Sequence, residues 1–116
     1  MVVPGVVFWK LVNIEYLDPD TSSGEANLVY IVLDQNGEPV GGQRVMASVM
    51  GAQSFAYTDS TGAASIPLEV AYWPERGDTG PYSAWVDGLP GDHVMGLGRP
   101  HEQFVSFRIT WQKSIK

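Results

Sequence analysis

Apolar and polar residues alternate with a period of two along most of the chain, and clusters of glycine, proline, asparagine and aspartate interrupt the alternation at short intervals. Such alternation predicts strands with one buried face, because successive side chains of a strand point to opposite sides of a sheet. Nowhere do apolar residues recur at helical spacing over two turns. The pattern predicts about seven strands, at residues 6–17, 27–34, 43–49, 53–58, 63–70, 81–87 and 105–111.

Two of these strands have the clearest patterns. The strand at 27–34 is apolar on both faces, which is typical of a central strand. In the last strand Phe107 and Ile109 alternate with Arg108, which is typical of a strand with one wet face. Trp9 lies on a strand face with apolar neighbours and is also expected in the core. The predicted core further contains Leu11, Leu28, Tyr30, Val32, Val45, Val49, Ile66, Leu68, Tyr82, Val86, Val105, Phe107, Ile109 and Trp111.

The composition favours an all-β protein. Its 13 Gly and 8 Pro suit short strands and tight turns, because both residue types are costly inside a helix. A chain of 116 residues, 44% of them hydrophobic, has the size and apolar content of a single domain, residues 1–116, with an ordered core expected at about 6–112. Seven short alternating strands in such a chain predict an immunoglobulin-like (Ig-like) sandwich of two antiparallel β-sheets.

Two turn motifs in the middle of the chain resemble a known family. Segment 34–45 reads DQNGEPVGGQRV, and segment 57–64 reads YTDSTGAA. Over residues 28–68 the chain is similar to bacterial Ig-like domains, which occur in adhesins and as accessory domains of glycoside hydrolases. From residues 81–88 through 96–98 to the last strand, the chain is similar to Ig-like modules of bacterial and phage proteins, including virion proteins. The resemblance implies an Ig-like sandwich with a non-catalytic role. It leaves open whether the strand order is that of a constant-type Ig domain or of a transthyretin-like variant.

Charge and cysteine content narrow the expected partners. Thirteen acidic residues against seven basic ones give a formal charge of −6, whereas nucleic-acid recognition normally needs a basic face. No apolar run approaches the length of a membrane-spanning helix, and the first ten residues lack the pattern of a secretory signal peptide. The absence of cysteine excludes disulfides, thiolate metal sites and cysteine nucleophiles. We therefore expect no nucleic-acid partner and no membrane insertion.

The sequence contains no recognisable catalytic motif. A nucleophilic triad needs a general base, for which only His93 and His101 are present, and no Gly-x-Ser-x-Gly elbow accompanies them. Thirteen acidic residues make chance carboxylate pairs easy, but a small sandwich rarely has the cleft in which glycoside cleavage takes place. We expect that the protein is not an enzyme.

Two groups of residues have side chains suited to metal ions. Asp18, Asp20 and Glu25 place hard oxygen ligands in one loop, as Ca²⁺ requires, although Asp-Pro-Asp is equally typical of a solvated turn. The Asp-His pair at 92–93 and the His-Glu pair at 101–102 flank the second long loop. Together they could bind a transition metal, or they are incidental surface residues. We expect no bound cofactor.

The aromatic residues of the long loop at 71–80 are the strongest candidates for binding. Tyr72 and Trp73 open the loop, and Arg76 and Asp78 follow among polar and turn-forming residues. An aromatic ring beside charged groups can hold a sugar, with the C–H face of the sugar against the ring, and it can equally anchor a protein interface. Alternatively, Trp73 folds back and closes the end of the sandwich.

Three further residues complete the candidate site. Trp85 shares a strand face with Ser83 and is expected to point outward, whereas His93 and Arg99 lie in the second long loop, at 88–101, which is expected close to the first. The expected function is that of a structural or adhesive Ig-like module on a phage virion or a bacterial surface, with a protein assembly or a surface glycan as partner. The alternative is a carbohydrate-binding accessory domain of a secreted glycoside hydrolase. Either function places the protein in the virion, outside the cell or on the cell surface.

Overall fold

The computed structural model describes residues 7–18, 26–73, 76–77, 79–100 and 105–115. Within these ranges no helix is long and apolar enough to cross a membrane. The described residues form ten strands: β1 (Val7–Leu17), β2 (Asn27–Leu33), β3 (Arg44–Val49), β4 (Ala52–Tyr57), β5 (Ala63–Pro67), β6 (Ala71–Tyr72), β7 (Tyr82–Val86), β8 (Val94–Leu97), β9 (Arg99–Pro100) and β10 (Ser106–Ile115).

Eight of the ten strands form two sheets of four strands each. Sheet I has the order β1-β10-β2-β5, and sheet II has the order β4-β3-β7-β8. The two short strands β6 and β9 pair with each other. The prediction of an all-β chain with two sheets is confirmed. Because β6, β8 and β9 lie in the segments predicted as long loops, the predicted number of about seven strands is too low.

Most strand pairs are antiparallel, as predicted, but two pairs are not. Strand β10 is antiparallel to β1 and parallel to β2, and β6 is parallel to β9. The last strand therefore lies between the first two strands of sheet I and has a partner on each side. In a constant-type Ig domain the first strand lies next to the second, so the order of sheet I differs from that arrangement.

The two sheets enclose one hydrophobic core. Strands β2 and β7 bury every second residue. Strand β2 is apolar on both faces, as expected of a central strand, and it lies between β10 and β5. Two fully buried rings, Tyr30 and Trp111, stack with their centroids 5.5 Å apart and their planes inclined by 14°. Within the predicted core only Leu11, Val49 and Phe107 are partly rather than fully buried. Ala47 and Ala84, which share strand faces with predicted core residues, are also buried. The core further contains Val94 and Leu97, which lie in the segment predicted as a long loop.

Tyr30 joins the two sheets through its hydroxyl group. It lies on β2 of sheet I, and its O–H donates a hydrogen bond of 2.7 Å to the carbonyl oxygen of Met46 on β3 of sheet II. Burial raises the pKa of Tyr30, because the charged phenolate is disfavoured away from water. The phenol therefore stays protonated and keeps donating this hydrogen bond.

Asp92 makes a second connection between the sheets, from the segment that leads into β8. Its N–H donates to the carbonyl oxygen of Trp9 at 3.0 Å, and its own carbonyl oxygen accepts the indole N–H of Trp111 at 3.0 Å. One oxygen of its carboxylate accepts the N–H of Leu11 at 2.8 Å. The N–H of Trp9 also donates to the carbonyl oxygen of Pro90 at 2.8 Å. The segment before β8 is therefore bonded to both β1 and β10.

The two turn motifs have the same hydrogen-bond pattern. In each, the glycine N–H donates to the carbonyl oxygen of the aspartate three residues earlier, at 3.0 Å for Gly37 to Asp34 and for Gly62 to Asp59. The aspartate carboxylate also accepts the backbone N–H groups two and four residues further on. Each motif connects a strand of one sheet to a strand of the other, so both lie at the edges where the chain crosses the sandwich.

Thr58 holds these two crossing segments together. Its side chain is buried, and its hydroxyl accepts the N–H of Gln43 at 2.9 Å and donates to the carbonyl oxygen of Val40 at 2.6 Å. Its backbone also donates to Gln43 at 2.9 Å and accepts from Gly42 at 2.8 Å. One buried threonine therefore uses four hydrogen bonds to join the end of the first motif to the start of the second.

We expect Gly62→Ala to destabilise the protein more than Gly37→Ala, although both glycines have a positive φ, of 76° and 82°. A Cβ at position 62 would lie 2.6 Å from the carbonyl oxygen of Val32, whereas nothing lies within 4 Å of a Cβ at position 37. In either variant the left-handed backbone conformation lowers the free energy of unfolding by about 1–2 kcal/mol, because alanine has a Cβ. Only at position 62 does the clash of this Cβ with the Val32 carbonyl oxygen lower it further. Urea unfolding measures the difference, and equal midpoints for the two variants would contradict it.

We also expect the turn at Asp59 to lose stability in acid. The hydroxyl of Thr61 donates to its carboxylate at 2.6 Å. This hydrogen bond, together with those from the backbone N–H groups of Ala63 and Thr61, holds the pKa of Asp59 below its usual value. Because the folded pKa is the lower one, the stabilisation is complete above the unfolded pKa of about 3.9 and is lost as the pH falls through the folded value.

The matched control for this prediction is Asp59→Asn, which keeps an acceptor oxygen but has no charge to lose. Urea midpoints are measured for both proteins between about pH 6 and pH 2. We expect the wild-type advantage over Asp59→Asn to shrink as the pH falls below about 4. An advantage that stays constant over the whole range would show that the carboxylate charge does not stabilise the turn.

Candidate functional site

A groove at the end of sheet II contains two of the predicted binding residues. It has a volume of about 580 Å³ and is formed by three parts of the chain: the turn between β3 and β4, the segment around β6, and the residues before β7. Most of its lining is apolar. We call it the Trp73 groove, and its lining residues are Met50, Val70, Ala71, Tyr72, Trp73, Thr79 and Pro81.

A buried tyrosine, Tyr82, holds the backbone segment that leads into the Trp73 groove. The N–H groups of Glu69 and Val70 donate hydrogen bonds to the hydroxyl of Tyr82 at 2.8 and 2.9 Å. Tyr82 lies on β7 and is 3% exposed. The sequence places Tyr82 in the core, but the alternating pattern does not reveal that its hydroxyl also satisfies two donors of a segment outside the strands.

The pairing of β6 with β9 brings the two long segments of the sequence prediction side by side. Ala71 is in register with Arg99, and Tyr72 is in register with Pro100. Arg99 therefore lies next to the part of the chain that carries Tyr72 and leads directly into Trp73. The two segments meet through the paired backbones of these two short strands.

Trp73 is partly buried and is in contact with Arg76. The guanidinium carbon of Arg76 lies 5.2 Å from the centroid of the indole ring, which is a cation–π arrangement. The N–H of Arg76 also donates to the carbonyl oxygen of Trp73 at 3.0 Å and so closes a turn. This turn keeps an exposed positive charge against the indole ring. Asp78, which was predicted to act with these residues, lies outside the described part of the chain.

Met50 lines the same groove and has an unusual backbone. Its φ is 49°, and it is the one residue other than glycine with a positive φ in the described part of the chain. Met50 and Gly51 are the central residues of a two-residue turn between Val49 and Ala52, which are in register. Such turns prefer Asn-Gly, so a methionine here costs about 1–2 kcal/mol. Met50 is nevertheless 82% exposed, and strained exposed residues beside a groove are typical of binding contacts.

Trp85 and His93 lie on a different surface, the outer face of sheet II. Their rings stack in parallel with the centroids 4.8 Å apart. Trp85 is in register with Met46 of β3, and Met46 is in register with Phe55 of β4. The described members of the predicted site therefore divide between two surfaces, because β7 directs Trp85 away from the core while the groove lies at the end of the sheet.

Sequence reasoning missed Met50, Met46 and Phe55 as surface candidates. The available signal for Phe55 was its alternation with Ala56, which packs against the core and so places Phe55 on the outside. For Met46 the signal was its position between inward-facing Val45 and Ala47. Nothing local to the sequence shows that these residues line up with Trp85, since that depends on the register between strands.

The described residues do not assemble a metal site. None of the groups of histidine, aspartate and glutamate among them has three members placed to hold an ion. Of the loop suggested for Ca²⁺ only Asp18 is described, and Asp20 and Glu25 lie outside the described residues, as does the pair at 101–102. Asp92, suggested as a transition-metal ligand, uses its carboxylate to accept a backbone N–H of β1.

No protein-family model, no curated protein and no solved structure matches the chain. The function of the Trp73 groove and of the outer face of sheet II is therefore inferred from their own chemistry.

Proposed function

We propose that the protein is a non-catalytic binding module, a structural or adhesive Ig-like domain displayed on a larger assembly such as a phage virion or a bacterial surface. It contacts its partner through the Trp73 groove. The observation that carries this proposal is the combination, at one groove, of an indole ring, a cation held against that ring and an exposed methionine on a strained backbone.

The residue types at the Trp73 groove are those of a protein-binding surface. Aromatic residues, methionine and arginine are enriched in interfaces relative to the rest of a protein surface. Here Trp73, Met50 and Arg76 provide one of each. The turn closed by Arg76 and the hydrogen bonds to the Tyr82 hydroxyl hold the groove in shape before a partner arrives, which lowers the entropy lost on binding.

The described lining of the groove favours contact over catalysis. It consists of apolar residues with one tyrosine and one threonine as polar groups, and the part that the structure describes contains no histidine or carboxylate to transfer a proton. An Ig-like sandwich, as the turn motifs suggest, commonly carries its binding residues at the ends of its sheets, where this groove lies.

A second candidate function is that of a carbohydrate-binding accessory domain of a secreted glycoside hydrolase. The observation that favours it is the group of aromatic residues on the outer face of sheet II, where exposed Phe55 lies in one row with Trp85 and the His93 ring that stacks on it. Flat aromatic surfaces suit the C–H faces of sugar rings. This surface is separate from the Trp73 groove, so the two candidate functions can be tested by different substitutions.

Trp73→Ala is expected to weaken partner binding about thirtyfold and to leave the fold intact, because aromatic anchors commonly contribute about 2 kcal/mol or more. Binding is measured by interferometry against purified virions and cell-envelope fractions of the source organism. The control is Tyr16→Ala, which removes an exposed aromatic ring from β1 in sheet I. If Trp73→Ala unfolds the domain and binding follows only the folded fraction, Trp73 closes the end of the sandwich and the contact lies elsewhere.

Met50→Asn is expected to raise the free energy of unfolding by about 1 kcal/mol and to weaken binding of the same partner. Asparagine tolerates the left-handed backbone of this turn but lacks the apolar side chain that lines the groove. The control is Met50→Leu, which keeps an apolar side chain and the strain and should bind nearly as well as the wild type. A stabilised Met50→Asn variant with undiminished binding would remove Met50 from the contact surface.

A further inference from the structure

The outer face of sheet II presents its side chains in rows that cross the strands. The central row contains Phe55, Met46 and Trp85, which are neighbours in register on β4, β3 and β7. His93 extends the row at its far end, because its ring stacks on Trp85. Side chains directly opposite each other on neighbouring strands lie about 5 Å apart, so this set forms one continuous apolar strip. We call these four residues the aromatic row.

One row of uncharged polar side chains lies beside the aromatic row. It contains Gln53, Ser48 and Ser83, which are again neighbours in register on β4, β3 and β7. Each of them is two positions along its strand from a member of the aromatic row, which is a distance of about 7 Å. The amide and hydroxyl groups of this row can donate and accept hydrogen bonds.

A second polar row lies on the other side of the aromatic row. Tyr57 is in register with Arg44, and Arg44 donates through Nε to the carboxylate of Asp87 at 2.7 Å. The two charges belong to one ion pair and cancel each other. The face therefore offers an apolar strip between two hydrogen-bonding strips and has little net charge of its own.

We propose that the aromatic row binds an uncharged, linear polysaccharide that lies across the strands of sheet II. The C–H face of one sugar ring stacks on Phe55, and a second sugar contacts the part of the Trp85 indole that His93 leaves uncovered. The hydroxyl groups at the edges of the chain reach the polar rows on either side. This proposal rests on the carbohydrate-binding candidate function and names the class of its ligand, and it concerns a surface other than the Trp73 groove. It stands whether or not the groove binds a protein partner.

The distance between the rings of Phe55 and Trp85 favours binding of an extended sugar chain over binding of a single sugar. Phe55 and Trp85 are separated by two strand spacings, which is about 10 Å. One sugar ring is too short to contact both, whereas successive rings of a linear chain can do so. Each stack alone is weak, but the two act together once the chain is long enough to reach both rings.

The negative net charge of the protein favours an uncharged ligand over an anionic one. The formal charge of the whole chain is −6, so a polyanionic glycan would be repelled on approach. Arg44 does not offset this repulsion, because its guanidinium is already bonded to Asp87. An uncharged polysaccharide meets no such barrier and can use the hydroxyl and amide groups of the polar rows.

The same pattern makes a second copy of this chain a poorer fit. A stable protein interface buries about 800 Å² on each partner around an apolar centre. Here the apolar strip is one residue wide on β3 and β7. It widens on β4, where the ring of Tyr57 packs edge-on against Phe55 with the centroids 5.8 Å apart. Phe55 is 59% exposed, as expected of a side chain that stands on a flat sheet face. A narrow strip suits a chain-like ligand better than a broad protein surface.

The proposal is tested by affinity electrophoresis of the purified protein in native gels. Four gels contain a neutral polysaccharide each, namely hydroxyethyl cellulose, xylan, galactomannan or laminarin, and a fifth contains anionic polygalacturonate. We expect at least one neutral polysaccharide to retard the wild type and polygalacturonate to have no effect. Phe55→Ala and Trp85→Ala are each expected to lower the association constant about tenfold or more.

Two controls separate this face from other surfaces. Tyr16→Ala removes an exposed ring from sheet I and should be retarded like the wild type, whereas Trp73→Ala tests whether the glycan lies in the groove instead. Thermal melting checks that each variant is folded. Because Phe55 is exposed, Phe55→Ala keeps the experiment decisive even if loss of the partly buried Trp85 unfolds the protein.

Several outcomes would overturn the proposal. These are no retardation of the wild type in any neutral gel, retardation that Phe55→Ala leaves unchanged, or equal retardation by polygalacturonate. A dimer in size-exclusion chromatography that Phe55→Ala dissociates would assign the face to a second copy. Retardation lost in Trp73→Ala but kept in Phe55→Ala would place the glycan in the groove instead. The binding role of the groove itself is judged separately, from the virion and envelope measurements.

Discussion

The hydrogen bonds of Asp92 fix the place where sheet I meets sheet II. Two of the largest buried residues, Trp9 and Trp111, belong to different strands of sheet I. The backbone carbonyl of Trp9 accepts the N–H of Asp92, and the indole N–H of Trp111 donates to the carbonyl oxygen of Asp92. The next residue, His93, stacks on Trp85 on the outside of sheet II. The adjacent residues Asp92 and His93 thus connect the core to the outer face of sheet II. The position of His93 in the aromatic row therefore depends on the hydrogen bonds that Asp92 makes to Trp9 and Trp111.

Strand β7 serves both candidate surfaces at once. Its inward residue Tyr82 is buried and uses its hydroxyl to hold the backbone that leads into the Trp73 groove. Its outward residue Trp85 belongs to the aromatic row. Because β7 lies inside sheet II, with β3 on one side and β8 on the other, both surfaces are supported by a strand that is paired along both edges.

The sequence allowed the strands with long alternating patterns to be predicted, because alternation is a local property of the chain. The short strand β8, which contains Gly96, has no such pattern and is stabilised by its pairing with β7. The outward direction of Trp85 followed from its alternation with Tyr82. Its alignment with Phe55 could not be predicted, since register between strands is set by contacts between distant parts of the chain.

The position of β10 between β1 and β2 has a consequence for how the protein folds. Sheet I cannot be completed until residues 106–115 are available, because β1 reaches β2 only through them. During synthesis the first strand therefore waits, with its apolar side chains exposed, until residues 106–115 have emerged from the ribosome. Contacts between such distant segments slow folding and prolong the time in which a nascent chain can aggregate. Sheet II, whose strands all precede β10, has no such delay and can assemble first.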